Sequence, residues 1–157
     1  MSDSPPASDP PPASDSPPAS DPTAHHVGVT VSDLDRAIEF YTDTFGLDVV
    51  AEFSVGGEAF AEAVDVDGAS AAFAHLDADG AIVELVEYDP RGEPKPDPEL
   101  NRPGAIHLGL SVDDVEAFYA DLDEEVTTLS PPRTTSSGTT ILFVVDPDGN
   151  PIEVLDA

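Results

Sequence analysis

The stretch HVGVTVSDLDRAIEFYTDTFGL, residues 26–47, decides the fold. Its first six residues place apolar side chains at every second position, which is typical of a strand with one face on a core. Ser32 then offers an N-cap, and Gly46 offers a C-terminal stop. Between them, apolar residues follow helical spacing: Leu34, Ala37, Ile38, Tyr41 and Phe45. The stretch therefore predicts a strand followed by an amphipathic helix.

The same pattern starts again 81 residues later, where His107 to Val112 reads HLGLSV. This offset aligns His26 with His107 and Gly28 with Gly109. Aspartates follow both first strands and mark the start of a helix. Internal repetition indicates two copies of one structural unit, neither of which covers its own sheet alone.

Further alternating segments complete each copy and predict a βαβββ unit, hence an α+β class. The predicted strands after the first helix are 47–55, 70–76 and 81–88, with a short helix at 58–64. After the second helix they are 126–129, 139–145 and 151–155. The turn DPDGN before the last strand places Gly149 where a positive φ is expected.

Composition divides the chain near residue 23. Residues 1–22 repeat Ser, Asp, Pro and Ala and contain no aromatic residue, so we expect a disordered Pro-rich tail. The domain is predicted over residues 23–157. Within it, module one covers about 24–89, a Pro-rich connector covers 90–104, and module two covers about 105–157.

The chain carries 33 acidic and 5 basic residues, a net charge of −28, and no cysteine. So few cations cannot neutralise phosphates, so we expect no nucleic-acid partner and no membrane partner. Disulfides and thiolate metal sites are excluded. We expect a cytoplasmic protein, because no segment is typical of a membrane span or a secretory signal. Such acidity is far beyond what solubility needs and favours a halophilic cell with molar internal salt.

Four polar residues stand at repeat-related positions on the predicted strands. His26 and His107 belong to the face of each first strand that points away from the apolar set, and Glu84 and Glu153 interrupt apolar last strands. A carboxylate on a central strand is costly unless something compensates it. The four side chains would meet in one cleft if the two sheets face each other, and imidazole with carboxylate suits a divalent first-row ion.

Each of these residues also has a simpler interpretation, since a lone strand histidine is usually a satisfied core residue and an outward glutamate is usually solvated. The repeat relation of all four favours metal binding over chance. We assign no ligand role to His25, which we take as structural or surface, or to His75, which lies outside the repeat.

Residues 24–157, with the motifs HVGVTVSDLDRAIEFYTDTFGL, IHLGLSV and DPDGNPIEVLD, resemble the vicinal-oxygen-chelate superfamily. That superfamily includes glyoxalase I, methylmalonyl-CoA epimerase, extradiol dioxygenases and bleomycin-binding proteins. The resemblance implies two modules that form a cup-shaped, barrel-like mixed sheet around one divalent ion (Ni, Zn, Mn, Co or Fe). The implied ligands are His26, Glu84, His107 and Glu153.

The resemblance to glyoxalase I implies a lyase or isomerase similar to lactoylglutathione lyase. Its substrate would chelate the ion through adjacent oxygens and lose a proton through an enediolate-like intermediate. We expect Glu153 to be the catalytic base, with Glu84 as the second candidate. The resemblance also implies a homodimer.

This chain departs from glyoxalase I at two positions. Thr30 stands where glyoxalase I carries the arginine for the glutathione carboxylate, and Tyr88 stands where an asparagine is expected. Glutathione itself is therefore disfavoured as a substrate. Two alternatives stay open from sequence: an iron-dependent extradiol-type dioxygenase, and a non-catalytic small-molecule or antibiotic binding protein.

The charge predicts a salt-dependent fold. Uncompensated negative charges repel one another in the compact state, and salt screens them. We expect the free energy of unfolding, measured by urea titration, to rise steadily from dilute buffer to molar KCl. Full stability in dilute buffer would contradict the halophilic interpretation.

Overall fold

The computed structural model describes residues 21–96 and 99–156. The predicted tail therefore lies almost entirely outside the described residues. The elements of the first half are β1 (Val27–Thr30), α1 (Leu34–Phe45), β2 (Asp48–Val55), α2 (Glu58–Val64), β3 (Ser70–Asp77) and β4 (Ile82–Asp89). Those of the second half are β5 (Leu108–Ser111), α3 (Val115–Ala120), β6 (Thr127–Thr128), β7 (Arg133–Thr134), β8 (Thr140–Val145) and β9 (Pro151–Leu155).

Hydrogen bonding divides these strands into two mixed sheets that repeat one topology. The first has the order β1-β4-β3-β2 and the second β5-β9-β8-β6, with β7 also paired to β8. In each sheet the first strand runs parallel to the last, and the other pairs are antiparallel. The predicted α+β class and the repeated modules are confirmed. Among the described helices, none is long and apolar enough to cross a membrane.

Local details correct the sequence-based boundaries. The N-cap of α1 is Asp33, not Ser32, and its carboxylate accepts the backbone N–H of Arg36 at 3.1 Å. Gly46 ends the helix in the left-handed region as predicted, and Gly149 has the expected positive φ. Helix α3 ends at Ala120, two residues before Leu122, the last residue of the helically spaced apolar set Val115, Phe118, Tyr119 and Leu122. The short strand β7 was not predicted, since two residues carry no periodicity.

Helix α1 lies at the centre of the molecule and packs against both halves. Its buried Ala37 and Tyr41 join a cluster with residues of the first sheet and with Ile152 of β9. Its Phe45 ring stacks on Phe118 of α3, with centroids 6.0 Å apart. Leu108 and Leu110 of β5 pack on the same cluster as α1. Phe40 and Phe45 of α1 therefore pack on the buried clusters of both halves. The opposite face of the first sheet is covered in part by α2, whose Phe60 packs on the buried Phe73, while Phe53 on that face stays exposed.

A buried polar contact joins the two halves. The Tyr41 hydroxyl donates to Oδ2 of Asp146 at 2.9 Å, across 105 residues of chain. Asp146 is the one buried acidic residue in the described part of the chain. Its carboxylate also accepts the backbone N–H groups of Asp148 and Asn150 and an N–H of the Asn150 side-chain amide. The contact fixes α1 against the turn between β8 and β9.

We expect Tyr41→Phe to lower the free energy of unfolding by about 1.5–3 kcal/mol, because a buried carboxylate loses a donor. Urea titration at constant molar salt measures this difference. Tyr119→Phe is the matched control, because that ring is 37% exposed. Equal losses in the two variants would contradict a special role for the Tyr41–Asp146 contact.

The same pair predicts an alkaline pH dependence. Burial, reinforced by the Asp146 carboxylate, raises the pKa of Tyr41 well above its ordinary value. As the pH rises past about 10, the unfolded chain ionises first, so the stability contributed by Tyr41 is lost from there upward. Above that pH we expect the wild type to lose stability more steeply than Tyr41→Phe. Parallel curves would contradict the raised pKa.

Candidate metal-binding and catalytic site

The first candidate half-site lies on the open face of the first sheet. The parallel register sets Gly28 of β1 beside Glu84 of β4. His26 directly precedes β1, and its Nε2 lies 3.4 Å from Glu84 Oε1. The Glu84 side chain is 13% exposed and the His26 side chain 38% exposed. A carboxylate in such a half-buried position needs a cationic or hydrogen-bonding partner.

The second half-site repeats this geometry. The register of β5 on β9 sets Gly109 beside Glu153. His107 directly precedes β5, and its Nε2 lies 3.1 Å from Glu153 Oε2. Glu153 is more accessible than Glu84, with a side chain 21% exposed. The four predicted ligands therefore form two equivalent His–Glu pairs.

Within the described residues the two pairs make no direct contact with each other. In residues 21–96 and 99–156, no hydrogen bond or ion pair joins His26 or Glu84 to His107 or Glu153. No group of three or more His, Asp or Glu side chains in those residues is arranged to hold a metal ion. The convergence of all four side chains in one cleft therefore stays a prediction.

Glu84 has a second partner, which the repeat did not indicate. The Nε2 atom of His75 lies 2.6 Å from Glu84 Oε2, and the two residues are directly paired across β3 and β4. The hairpin turn between β3 and β4 indicates this pairing. Asp79 and Gly80 both have positive φ, as a two-residue turn requires, and this turn sets His75 opposite Glu84.

His25 also lies close to the first half-site. Its Nδ1 is 2.8 Å from Nδ1 of His26, and its ring is 6.4 Å from that of His75. Residue His25 is exposed, as expected for a surface position. Two histidines, His26 and His75, therefore contact the Glu84 carboxylate, and His25 lies beside their rings.

An aromatic surface continues from this cluster across the first sheet. Phe53 packs edge-on against His75 at 5.1 Å and stacks on Phe73 at 5.0 Å. Phe60 of α2 lies beside Phe73 and stacks on Tyr88. Phe53 is 41% exposed, so this apolar surface remains open in the single chain. Such a surface accommodates uncharged, apolar parts of a ligand.

The model of the Glyoxalase/Bleomycin resistance protein/Dioxygenase superfamily matches residues 23–154. The chain belongs to this superfamily. Its predicted membership is confirmed, and the superfamily is the vicinal-oxygen-chelate group named from the motifs. In this chain the fold consists of two repeated modules, and each module carries one His–Glu pair.

The chain is similar in sequence to one curated relative and in structure to several solved proteins. It is 31% identical over 120 residues to a 2-epi-5-epi-valiolone epimerase from an Actinomyces species, a match that spans 73% of this chain and 66% of that relative. A glyoxalase family protein from Bacillus cereus aligns with a TM-score of 0.75 at 17% identity, over 89% of this chain and 98% of that one. The trypanothione-dependent glyoxalase I of Leishmania major aligns with a TM-score of 0.60 at 26% identity, over 87% of each chain.

Proposed function

We propose that this protein is a divalent-metal-dependent isomerase or lyase that removes a proton next to a carbonyl of a small substrate with adjacent oxygens. The observation that carries the proposal is the repeated His–Glu pair, one on the open face of each sheet. The resemblance to an epimerase and to a glyoxalase I supports this class of reaction over ring cleavage or simple binding.

The donor chemistry fits a divalent first-row ion. Two imidazoles and two carboxylates supply four nitrogen and oxygen ligands, which leaves positions for a substrate. His26, Glu84, His107 and Glu153 would hold the ion. When bound, the ion polarises a substrate carbonyl and stabilises the negative charge that develops as the neighbouring proton leaves.

A second copy of the chain would complete the site. In the described residues of one chain the two pairs form no metal-binding group, so in this proposal the pair of one copy meets the complementary pair of its partner. Both open faces carry exposed apolar residues, including Phe53 and Val55 on the first sheet and Leu129 beside the second. Apolar surface of this kind is typical of an interface. We therefore place the site between the first sheet of one copy and the second sheet of the other.

The two carboxylates take different roles in this proposal. Glu84 contacts two histidines, His26 and His75, and is the less exposed of the two glutamates. Glu153 contacts only His107 among the described residues and is more exposed. The carboxylate with fewer contacts moves more readily, so Glu153 is the base that takes the substrate proton.

The surroundings of the first pair limit the substrate. Phe53, Phe73 and Tyr88 line the open face, and Thr30 replaces the arginine expected for glutathione. The chain offers only five cations, and Arg91 of this half donates to the backbone of Ser32. An anionic thiol such as glutathione lacks a charge partner here, so the substrate carries an apolar or uncharged end.

Substitution of the four ligands tests the assignment. Glu153→Gln keeps an oxygen donor and removes the basicity, so it should retain metal and lose activity by about a hundred- to ten-thousand-fold. His26→Ala and His107→Ala remove donors and should lose metal first. Glu84→Gln should retain less metal than Glu153→Gln and more than the two histidine variants. Metal analysis of each variant and a proton-exchange assay on α-hydroxycarbonyl compounds measure the effects.

Two results would contradict this proposal. Full metal retention in His26→Ala and His107→Ala would contradict the assignment of these histidines as metal ligands. Oxygen consumption by the metal-loaded wild type with catechols would favour the dioxygenase alternative.

Complementation tests the shared site. One double variant carries His26→Ala with Glu84→Gln, and the other carries His107→Ala with Glu153→Gln. Each alone has no complete site. After random subunit exchange, half of the dimers combine the two variants and each regains one native site, so metal content should return to about one quarter of wild type. No recovery in a mixture that forms mixed dimers would place the site within one chain.

A further inference from the structure

The two modules differ at one position beside the carboxylate. On the first sheet His75 pairs with Glu84, and on the second sheet Phe143 pairs with Glu153. Both rings lie beside the histidine that precedes the first strand. The His75 ring stacks on that of His26 at 6.0 Å, and the Phe143 ring lies 5.2 Å from that of His107. The repeat thus places a hydrogen-bonding ring in one module and an apolar ring in the other.

This difference changes how each carboxylate is held. Glu84 is contacted at both oxygens, by His26 at Oε1 and by His75 at Oε2. The described contact of Glu153 with His107 uses one oxygen only. A carboxylate held at both oxygens loses rotamer freedom, whereas one held at a single oxygen can swing. The stronger restraint is therefore on Glu84.

The His75 ring is itself fixed by packing. Phe53 meets it edge-on at 5.1 Å on one side, and the His26 ring stacks on it elsewhere. The His75 side chain is only 17% exposed. A rigid ring that bonds the outer oxygen of a ligand carboxylate is the arrangement that orients ligands in metal sites.

We propose that His75 is a positioning residue that holds Glu84 Oε2 and so presents Oε1 to the metal ion, which confines Glu84 to a ligand role. Phe143 occupies the equivalent place beside Glu153 and has no hydrogen-bonding group, which leaves that carboxylate mobile enough to act as base. This inference rests on the proposed metal site. In this inference, the difference between His75 and Phe143 explains why Glu84 acts as a ligand and Glu153 as the base.

Cobalt binding tests the inference on the full-length protein in molar KCl. His75→Phe copies the residue that the second module carries at this place, so the fold is expected to tolerate it. His75→Gln keeps an N–H donor. We expect His75→Phe to weaken Co²⁺ binding, measured by competition with a chelator, by about ten- to a hundred-fold. His75→Gln should recover most of that loss, and the Co²⁺ absorption spectrum should change in His75→Phe and return in His75→Gln.

Phe143→His is the reciprocal variant. It supplies Glu153 with a second contact, so Co²⁺ should bind at least as tightly as in wild type.

The results distinguish the positioning role of His75 from the metal site on which it rests. Wild-type affinity in His75→Phe, or an equal loss in His75→Gln, would overturn the positioning role and leave the metal site intact. Failure of the wild type to bind Co²⁺ would overturn the proposed function and the positioning role together. Weaker Co²⁺ binding in Phe143→His would show that a histidine at this place does not stabilise the ligand set, and would also overturn the inference.

Discussion

The buried contact between Tyr41 and Asp146 governs how the two halves sit together. A carboxylate inside a protein is costly unless donors surround it, and Tyr41 together with the turn up to Asn150 supplies them. Because Tyr41 belongs to α1 and Asp146 to the turn before β9, the contact is satisfied only when the halves pack through the helix. The stacked rings of Phe45 and Phe118 strengthen the same arrangement.

This packing has a direct consequence for the site. Once both halves pack on α1, the His–Glu pairs remain partly exposed. The packing that stabilises the single chain therefore leaves both His–Glu pairs available to a partner in the proposed dimer. In the proposed dimer, stability and metal binding come from different surfaces of the same sheets, so a substitution can affect one without the other.

The acidity of the chain acts against such a dimer. Two copies that each carry a net charge of −28 repel one another in dilute buffer, and salt reduces this repulsion. The proposed metal ion would also reduce it locally, since two carboxylates from different copies would surround a divalent cation. In the proposed dimer, the stability of the fold, the association of the two copies and metal binding therefore all depend on the same negative charges.

The sequence by itself determined the local elements and the repeat. Alternation predicted β1 and β5, helical spacing with Gly46 predicted α1, and the offset between His26 and His107 predicted two equivalent modules. These signals are local, because they depend on backbone periodicity and on which residues tolerate a turn. The sequence also indicated that His26, Glu84, His107 and Glu153 occupy repeat-related positions, but it did not predict that each histidine contacts the glutamate of its own module.

Only the tertiary structure decided which pairs meet and what surrounds them. Periodicity says which face of a sheet a residue occupies and nothing about which other sheet covers that face. The packing of both sheets against α1 joins residues far apart in the chain, and the contact of His75 with Glu84 follows from the register of one hairpin. Both depend on contacts between residues distant in the chain or across a turn, and no single stretch of sequence encodes them.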